Sequence, residues 1–138
     1  MTAGSTPRIL VVEDDPNVRG LLRTLFDAEG YQVAVAADGL AGLLEASTQP
    51  PALILLDVMM PDLGGVRVLE EMQEDPVLAA VPVIVVTGKM ELLPTLAELI
   101  GEANVFAKPF RAHQLLARVS EVTGGPGLEP GRPIRLPD

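Results

Sequence analysis

Residues 9–26 read Ile-Leu-Val-Val-Glu-Asp-Asp-Pro-Asn-Val-Arg-Gly-Leu-Leu-Arg-Thr-Leu-Phe. The four leading residues are apolar without alternation, the pattern of a strand buried on both faces. Three carboxylates follow. Asp15 then offers an N-cap and Pro16 an N1 residue, which together start a helix. Val18, Leu21, Leu22, Leu25 and Phe26 fall at i, i+3, i+4, i+7 and i+8, so they predict a single buried helix face. Glu29–Gly30 closes the helix, with the glycine supplying a left-handed residue.

The same unit recurs along the chain. Further β-rich runs lie at 32–36, 53–56, 83–86 and 105–107, and each is followed by a stretch of helical period. The second helix carries Leu40, Leu43 and Leu44; the third carries Val66, Leu69 and Met72 and stops before Pro76. The fourth carries Leu92, Leu93, Leu96, Leu99 and Ile100, and the fifth Ala112, Leu115, Leu116, Val119 and Val122. Five strands alternating with five helices predict an α/β fold with a mostly parallel sheet. Helices on both faces make it a doubly wound three-layer sandwich. Residues 1–6 are small and polar and read as a loose N-terminus. From 124 to 138, eight of fifteen residues are Gly or Pro, which reads as a linker or tail. The folded unit is expected at 7–123.

The chain has 138 residues, one domain's worth, with 48% hydrophobic and 21% charged residues. No cysteine is present, so disulfides, thiolate metal sites and cysteine nucleophiles are excluded. A single histidine builds no histidine-rich zinc site, and three Phe, one Tyr and no Trp give no base-stacking platform. The net charge of −9 argues against nucleic-acid binding by this segment, because phosphate contacts need a basic surface. The N-terminus is no signal peptide, and the longest apolar runs fall far short of the ~20 residues a membrane span needs. The expectation is a soluble, cytoplasmic chain.

In open parallel sheets ligands bind beyond the carboxyl ends of the strands. The first strand is followed there by Glu13, Asp14 and Asp15. The third ends in Asp57 and the fourth in Thr87, and the fifth is followed by Lys108–Pro109. Clustered carboxylates repel one another, and a hard divalent cation relieves the repulsion. Glu13, Asp14 and Asp57 carry −3; Mg²⁺ and Lys108 carry +3. A carboxylate in such a site is able to attack phosphorus and form an acyl phosphate, with catalysis by positioning and charge neutralisation. Taken singly the residues are unremarkable: Asp15 reads as a cap, His113 as a surface residue and Met59–Met60 as packing. The joint placement at successive strand ends carries the argument.

ILVVEDDPNVR, LILLDVMMPDLGG, PVIVVTGK and AKPF, in this order, resemble the receiver domains of two-component response regulators, over residues 8–123. The resemblance implies a flavodoxin-like, CheY-like (βα)5 fold with strand order 2-1-3-4-5. It implies bacterial phosphorelay signalling in which Asp57 is the phosphoacceptor. Glu13 and Asp14 are the implied acidic pair for Mg²⁺ or Mn²⁺, and Met59 lends its backbone carbonyl to the metal. Thr87 and Lys108 contact the phosphoryl group, and Lys108–Pro109 is a cis peptide. Gly88 leaves room beside the phosphoryl group, and Met59 and Lys89 modulate its lifetime. The implied partners are a sensor histidine kinase or phosphotransfer protein, and a downstream protein meeting the fourth helix, fifth strand and fifth helix. The implied state is a monomer or weak homodimer, and the domain is not an enzyme on external substrates.

Three departures stand out. The aromatic usual three residues before the lysine is Val105 here, with Phe106 beside it. Strand alternation turns Phe106 to the opposite side. Ala103–Asn104 replaces an acidic pair, although Arg118 is retained where family members often have a partner arginine. Gly64–Gly65 replaces the commoner Asp–Gly. A receiver-fold interaction module with weak or atypical switching is the alternative reading. A phosphohydrolase is disfavoured because Met59 stands where a second Asp is usual. A nucleotide-binding protein fails because GxxxxGK[ST] and GxGxxG are both missing. Pro/Gly-rich residues after 123 suit a stand-alone receiver, and equally one cut from a longer protein.

Overall fold

The computed structural model describes residues 6–58 and 65–125. The elements alternate as β1 (Arg8–Val12), α1 (Pro16–Ala28), β2 (Gln32–Ala36), α2 (Gly39–Thr48), β3 (Leu53–Asp57), α3 (Gly65–Glu74), β4 (Val83–Thr87), α4 (Leu93–Ile100), β5 (Val105–Ala107) and α5 (Ala112–Thr123). All strand pairs are parallel, in the order β2-β1-β3-β4-β5. This is the expected doubly wound sandwich. Residues 1–5 of the expected loose N-terminus, residues 126–138 of the linker or tail expected at 124–138, and Met59, Met60 and Gly64 lie outside the described residues.

The alternation of side chains along each strand divides the core into two layers. Leu10, Val12, Ile54, Leu56 and Val85 point into one layer with Ala46, Val68, Leu69, Met72 and Leu96. Ile9, Val11, Leu53, Leu55, Ile84 and Val86 point into the other, with Leu22, Leu25, Phe26, Leu115, Leu116 and Val119. Thus α2, α3 and α4 cover one face, and α1 and α5 the other. Each fully buried Leu, Ile or Val contributes roughly 1.5–3 kcal/mol.

The ends of α1 form as the sequence predicts. Asp15 accepts a hydrogen bond from the Asn17 N–H, Pro16 opens the helix, and Gly30 adopts φ 94° after it. Three leucines depart from expectation. Leu21 is 59% exposed, at the margin of the α1 apolar stripe rather than within it. Leu40 (59% exposed) and Leu44 (63% exposed) face outward from α2, which buries Gly39, Gly42 and Ala46 instead. Close approach explains this: a Cβ on Gly42 would lie 2.8 Å from Val12 Cγ2. A helix seated that near the sheet presents its small residues inward. Leu92 belongs to a 3-10 turn before α4, and Leu99 is partly exposed.

Candidate functional site

Among the described residues the buried polar or charged side chains are Glu13, Glu29, Asp57 and Thr87. Three of these four sit together at the carboxyl ends of the central strands. Glu13 leaves β1 with its N–H donating to the Ala36 carbonyl at 3.1 Å. Asp57 is the last residue of β3 and Thr87 the last of β4. Asp14 adds an exposed carboxylate. One oxygen each from Glu13, Asp14 and Asp57 lies within 4.8 Å of the others. The first turn of α1 braces this loop: Arg19 Nη1 donates to the carbonyls of Glu13 (3.1 Å) and Asp14 (3.3 Å).

Lys108 reaches in from the end of β5. Its Nζ lies 3.0 Å from Asp57 Oδ2 and 3.3 Å from Glu13 Oε1. Its backbone N–H donates to the Thr87 carbonyl at 2.8 Å, and Lys108–Pro109 is cis as expected. Thr87 Oγ1 accepts the Lys89 N–H at 3.0 Å, so the hydroxyl is held toward the loop after β4.

The electrostatics of the cluster are those of charge short of a cation. Burial, with the hydrogen bond to Asp57 and its charge, pushes the Glu13 carboxyl up to about 7, against the opposing pull of the Asp15 N–H and of Lys108. Burial pulls the Lys108 ammonium down, but its hydrogen bond to Asp57 and the charges of Asp57 and Glu13 outweigh this, and the net shift is upward. Three converging carboxylate oxygens, with one proton held unusually tightly, form the donor set of a hard oxygen-seeking ion. The residues present therefore fit Mg²⁺ or Mn²⁺.

Not every sequence-predicted residue joins the cluster. Gly88 and Lys89 are exposed at its rim, and Met59 lies outside the described residues. Val105 packs in the layer with α4, while Phe106 faces the α1/α5 layer, so the expected alternation holds. His113 is exposed. Arg118 is engaged within the chain: its Nε donates to Asn104 Oδ1 at 2.9 Å, while Asn104 Nδ2 donates to the Ile100 carbonyl at 2.6 Å. Sequence reasoning missed two braces, Arg19 and Asp38. Asp38 caps α2 by accepting from the Ala41 N–H at 2.8 Å. An Asp just before a glycine-led helix was the available signal; for Arg19 there was none beyond its place in the first turns of α1.

A family model described as the response regulator receiver domain matches residues 9–120. The chain belongs to this family. Among curated relatives it is 34% identical over 113 residues to the DNA-binding response regulator MtrA of Mycolicibacterium smegmatis, covering 81% of this chain and 48% of that one. It is 38% identical over 120 residues to the response regulator PleD of Caulobacter vibrioides, covering 84% of this chain and 26% of that one. A solved receiver domain, that of the Francisella response regulator 1452, superposes with a TM-score of 0.78 at 26% identity, covering 86% of this chain and 98% of that one. The chain thus spans about half, or less, of the length of the curated relatives it matches. Receiver domains are signalling domains and generally not enzymes. No helix of the described residues is long and apolar enough to cross a membrane.

Proposed function

We propose that this receiver accepts a phosphoryl group on Asp57 from a sensor histidine kinase, a phosphotransfer protein or a small phosphodonor. The phosphorylated form then offers an altered α4–β5–α5 face to a downstream protein. The observation that carries the reading is the approach of Lys108 Nζ to 3.0 Å from Asp57 Oδ2, beside the carboxylates of Glu13 and Asp14 in the loop that leaves β1.

The chemistry follows from the charges. One Asp57 carboxylate oxygen attacks phosphorus. The new P–O bond forms as the P–N bond of a phosphohistidine, or the P–O bond of an acyl phosphate, breaks, and the electron pair leaves with the donor. Glu13, Asp14 and Asp57 would hold the metal, with the Met59 carbonyl as a further ligand. A bound Mg²⁺ supplies positive charge against the phosphoryl oxygens and lowers the repulsion between them and the carboxylates. Lys108 supplies a further positive charge beside Asp57. The Thr87 hydroxyl leaves the Lys89 N–H and turns to donate to a phosphoryl oxygen, drawing the start of the β4–α4 loop with it. Gly88 leaves space, and Lys89 with Met59 tunes water access and so the lifetime. The unit acts in the cytoplasm as a monomer or weak homodimer, without nucleic-acid contacts of its own. An interaction module with atypical switching is the second reading. Val105 favours it, because no aromatic ring at that position couples to Thr87.

Intact mass after incubation with acetyl phosphate, with and without Mg²⁺, tests the proposal. A Mg²⁺-dependent gain of one phosphoryl group, absent in Asp57→Asn, is expected. Equal labelling of Asp57→Asn would overturn the site. No labelling by the donor or by a cognate kinase leaves the interaction module.

A further inference from the structure

Of the four buried polar or charged side chains among the described residues, Glu29 alone takes no part in the carboxylate cluster. It lies at the opposite end of the sheet, between α1 and the start of β2. It is 9% exposed, its Oε2 has no hydrogen-bond partner, and it enters no ion pair among the described residues. A buried carboxylate left this way is costly. Its position adds to the cost. Glu29 is the C-cap of α1, where the helix carbonyls already present partial negative charge. Neither α1 nor α5 carries a basic residue in its last turn. The site needs a cation that the described residues do not supply.

The surroundings of Glu29 lead to the end of the described chain. Tyr31, two residues on, is buried and sets its hydroxyl against those of Thr123 and Ser120 on α5. Burial pushes this hydroxyl up, the two α5 hydroxyls pull it down, and the Glu29 charge adds to the rise, so the carboxylate stands close to the ring. The chain leaves α5 through Gly124 and Gly125, both at positive φ (84° and 74°). The turn folds the chain back: the Gly125 N–H donates to Thr123 Oγ1 at 3.2 Å, and a Cβ on Gly125 would lie 3.1 Å from Ser120 Oγ. The chain therefore departs over the same two hydroxyls that hold Tyr31.

We propose that the segment after Gly125 folds back over this end of the domain and that Arg132 pairs with the Glu29 carboxylate. Arg132 is the first cation beyond Gly125, and Arg135 is the only other one between 126 and 138. The seven residues from Gly125 to Arg132 span up to ~23 Å when extended. The target is near, because Glu29 is two residues from the tyrosine beside which the chain departs. A guanidinium suits the site: it offers planar, paired donors to a carboxylate and is more weakly hydrated than an ammonium. Pro126, Pro130 and Pro133 reduce the freedom lost when the segment is fixed. The contact stands at the amino ends of the strands, away from Asp57. It holds the outgoing chain against α1 and α5 whether or not Asp57 is labelled.

The test uses the full chain with Glu29→Gln, Arg132→Gln, Arg135→Gln and the double variant of the first two. Proton NMR of the parent at pH 7 should show nuclear Overhauser contacts from the Arg132 Nε–H to the ring of Tyr31, the only tyrosine. These contacts should vanish in Glu29→Gln. Glu29→Gln and Arg132→Gln should each lower Tm by about 2–8 °C. The double variant should lose clearly less than the sum of the two, and Arg135→Gln should melt as the parent does. Arg132→Gln changes no residue of the core, so it keeps the test open if Glu29→Gln does not fold. An unpaired Glu29 gives the opposite sign, because its amide isostere removes a buried charge and leaves Tm equal or higher. That result overturns the proposal, as do additive losses, coupling to Arg135 in place of Arg132, or absence of the contacts to Tyr31. A Tm shift on amino-terminal acetylation matching that of Arg132→Gln would give the carboxylate to the chain's own amino group. A Tm that rises with protein concentration and loses that rise in Arg132→Gln would put the arginine on a second copy. Either of these also overturns it.

Discussion

Strands β3 and β5 lie two places apart in one sheet and could hardly be held more differently. All five residues of β3 are buried, it is paired on both sides, and it ends in Asp57. β5 has three residues, none fully buried, a single neighbour, and it leads into Lys108. The Asp57 carboxylate is therefore held by the buried centre of the sheet, while the Lys108 ammonium that pairs with it stands at the margin.

The largest expected contrast is chemical. Asp57→Asn should abolish phosphoryl labelling. Lys108→Ala should leave Mg²⁺ affinity largely intact, with labelling retained, and should blunt the change in β5 amide shifts on phosphorylation. Full shifts in that variant would show that Lys108 does not carry the signal.

Stability should divide in the same way. Leu55→Ala in β3 should cost about 2–5 kcal/mol, and Val105→Ala in β5 about 1 kcal/mol or less, both measured by urea denaturation. Comparable losses would mean that the margin is as tightly built as the centre.

A smaller effect probes the charge at the centre. Glu13 is raised from 4.5 to about 7 in the folded state. The fold therefore binds this proton more tightly than the unfolded chain does. That stabilisation is complete below about pH 4.5 and is lost as pH rises through about 7. In metal-free protein Tm should fall by a few degrees, on the order of 2–8 °C, between pH 5 and 8, more steeply than in Glu13→Gln. Mg²⁺ should raise Tm more at pH 8 than at pH 5, because at the lower pH it must displace the proton. The smallest expected change is Asp15→Ala, about 1 kcal/mol from loss of the α1 cap, with labelling retained.

The strands were legible because continuous apolar runs such as ILVV and LILL have few alternatives to burial on both faces. The order 2-1-3-4-5 came through the family resemblance; strand patterns alone do not number a sheet. The polar residues at strand ends were legible as a set, since topology brings every strand's carboxyl end to one side. Leu40 and Leu44 were misjudged because periodicity counts large side chains, whereas α2 packs through Gly39, Gly42 and Ala46. The Asn104–Arg118 contact was not foreseen either: it joins residues fourteen apart in a loop and a helix, and no local pattern announces it.

That contact gives α4 a pivot. Through its two amide atoms, Asn104 ties the last turn of α4 at Ile100 to the middle of α5 at Arg118. The opposite end of α4 begins after a 3-10 turn with no side-chain cap, close behind Thr87. A rod anchored at one end and loose at the other turns a small pull into a swing. Here the uncapped end lies close behind Thr87, at the edge of the carboxylate cluster where the proposed phosphoryl group would sit.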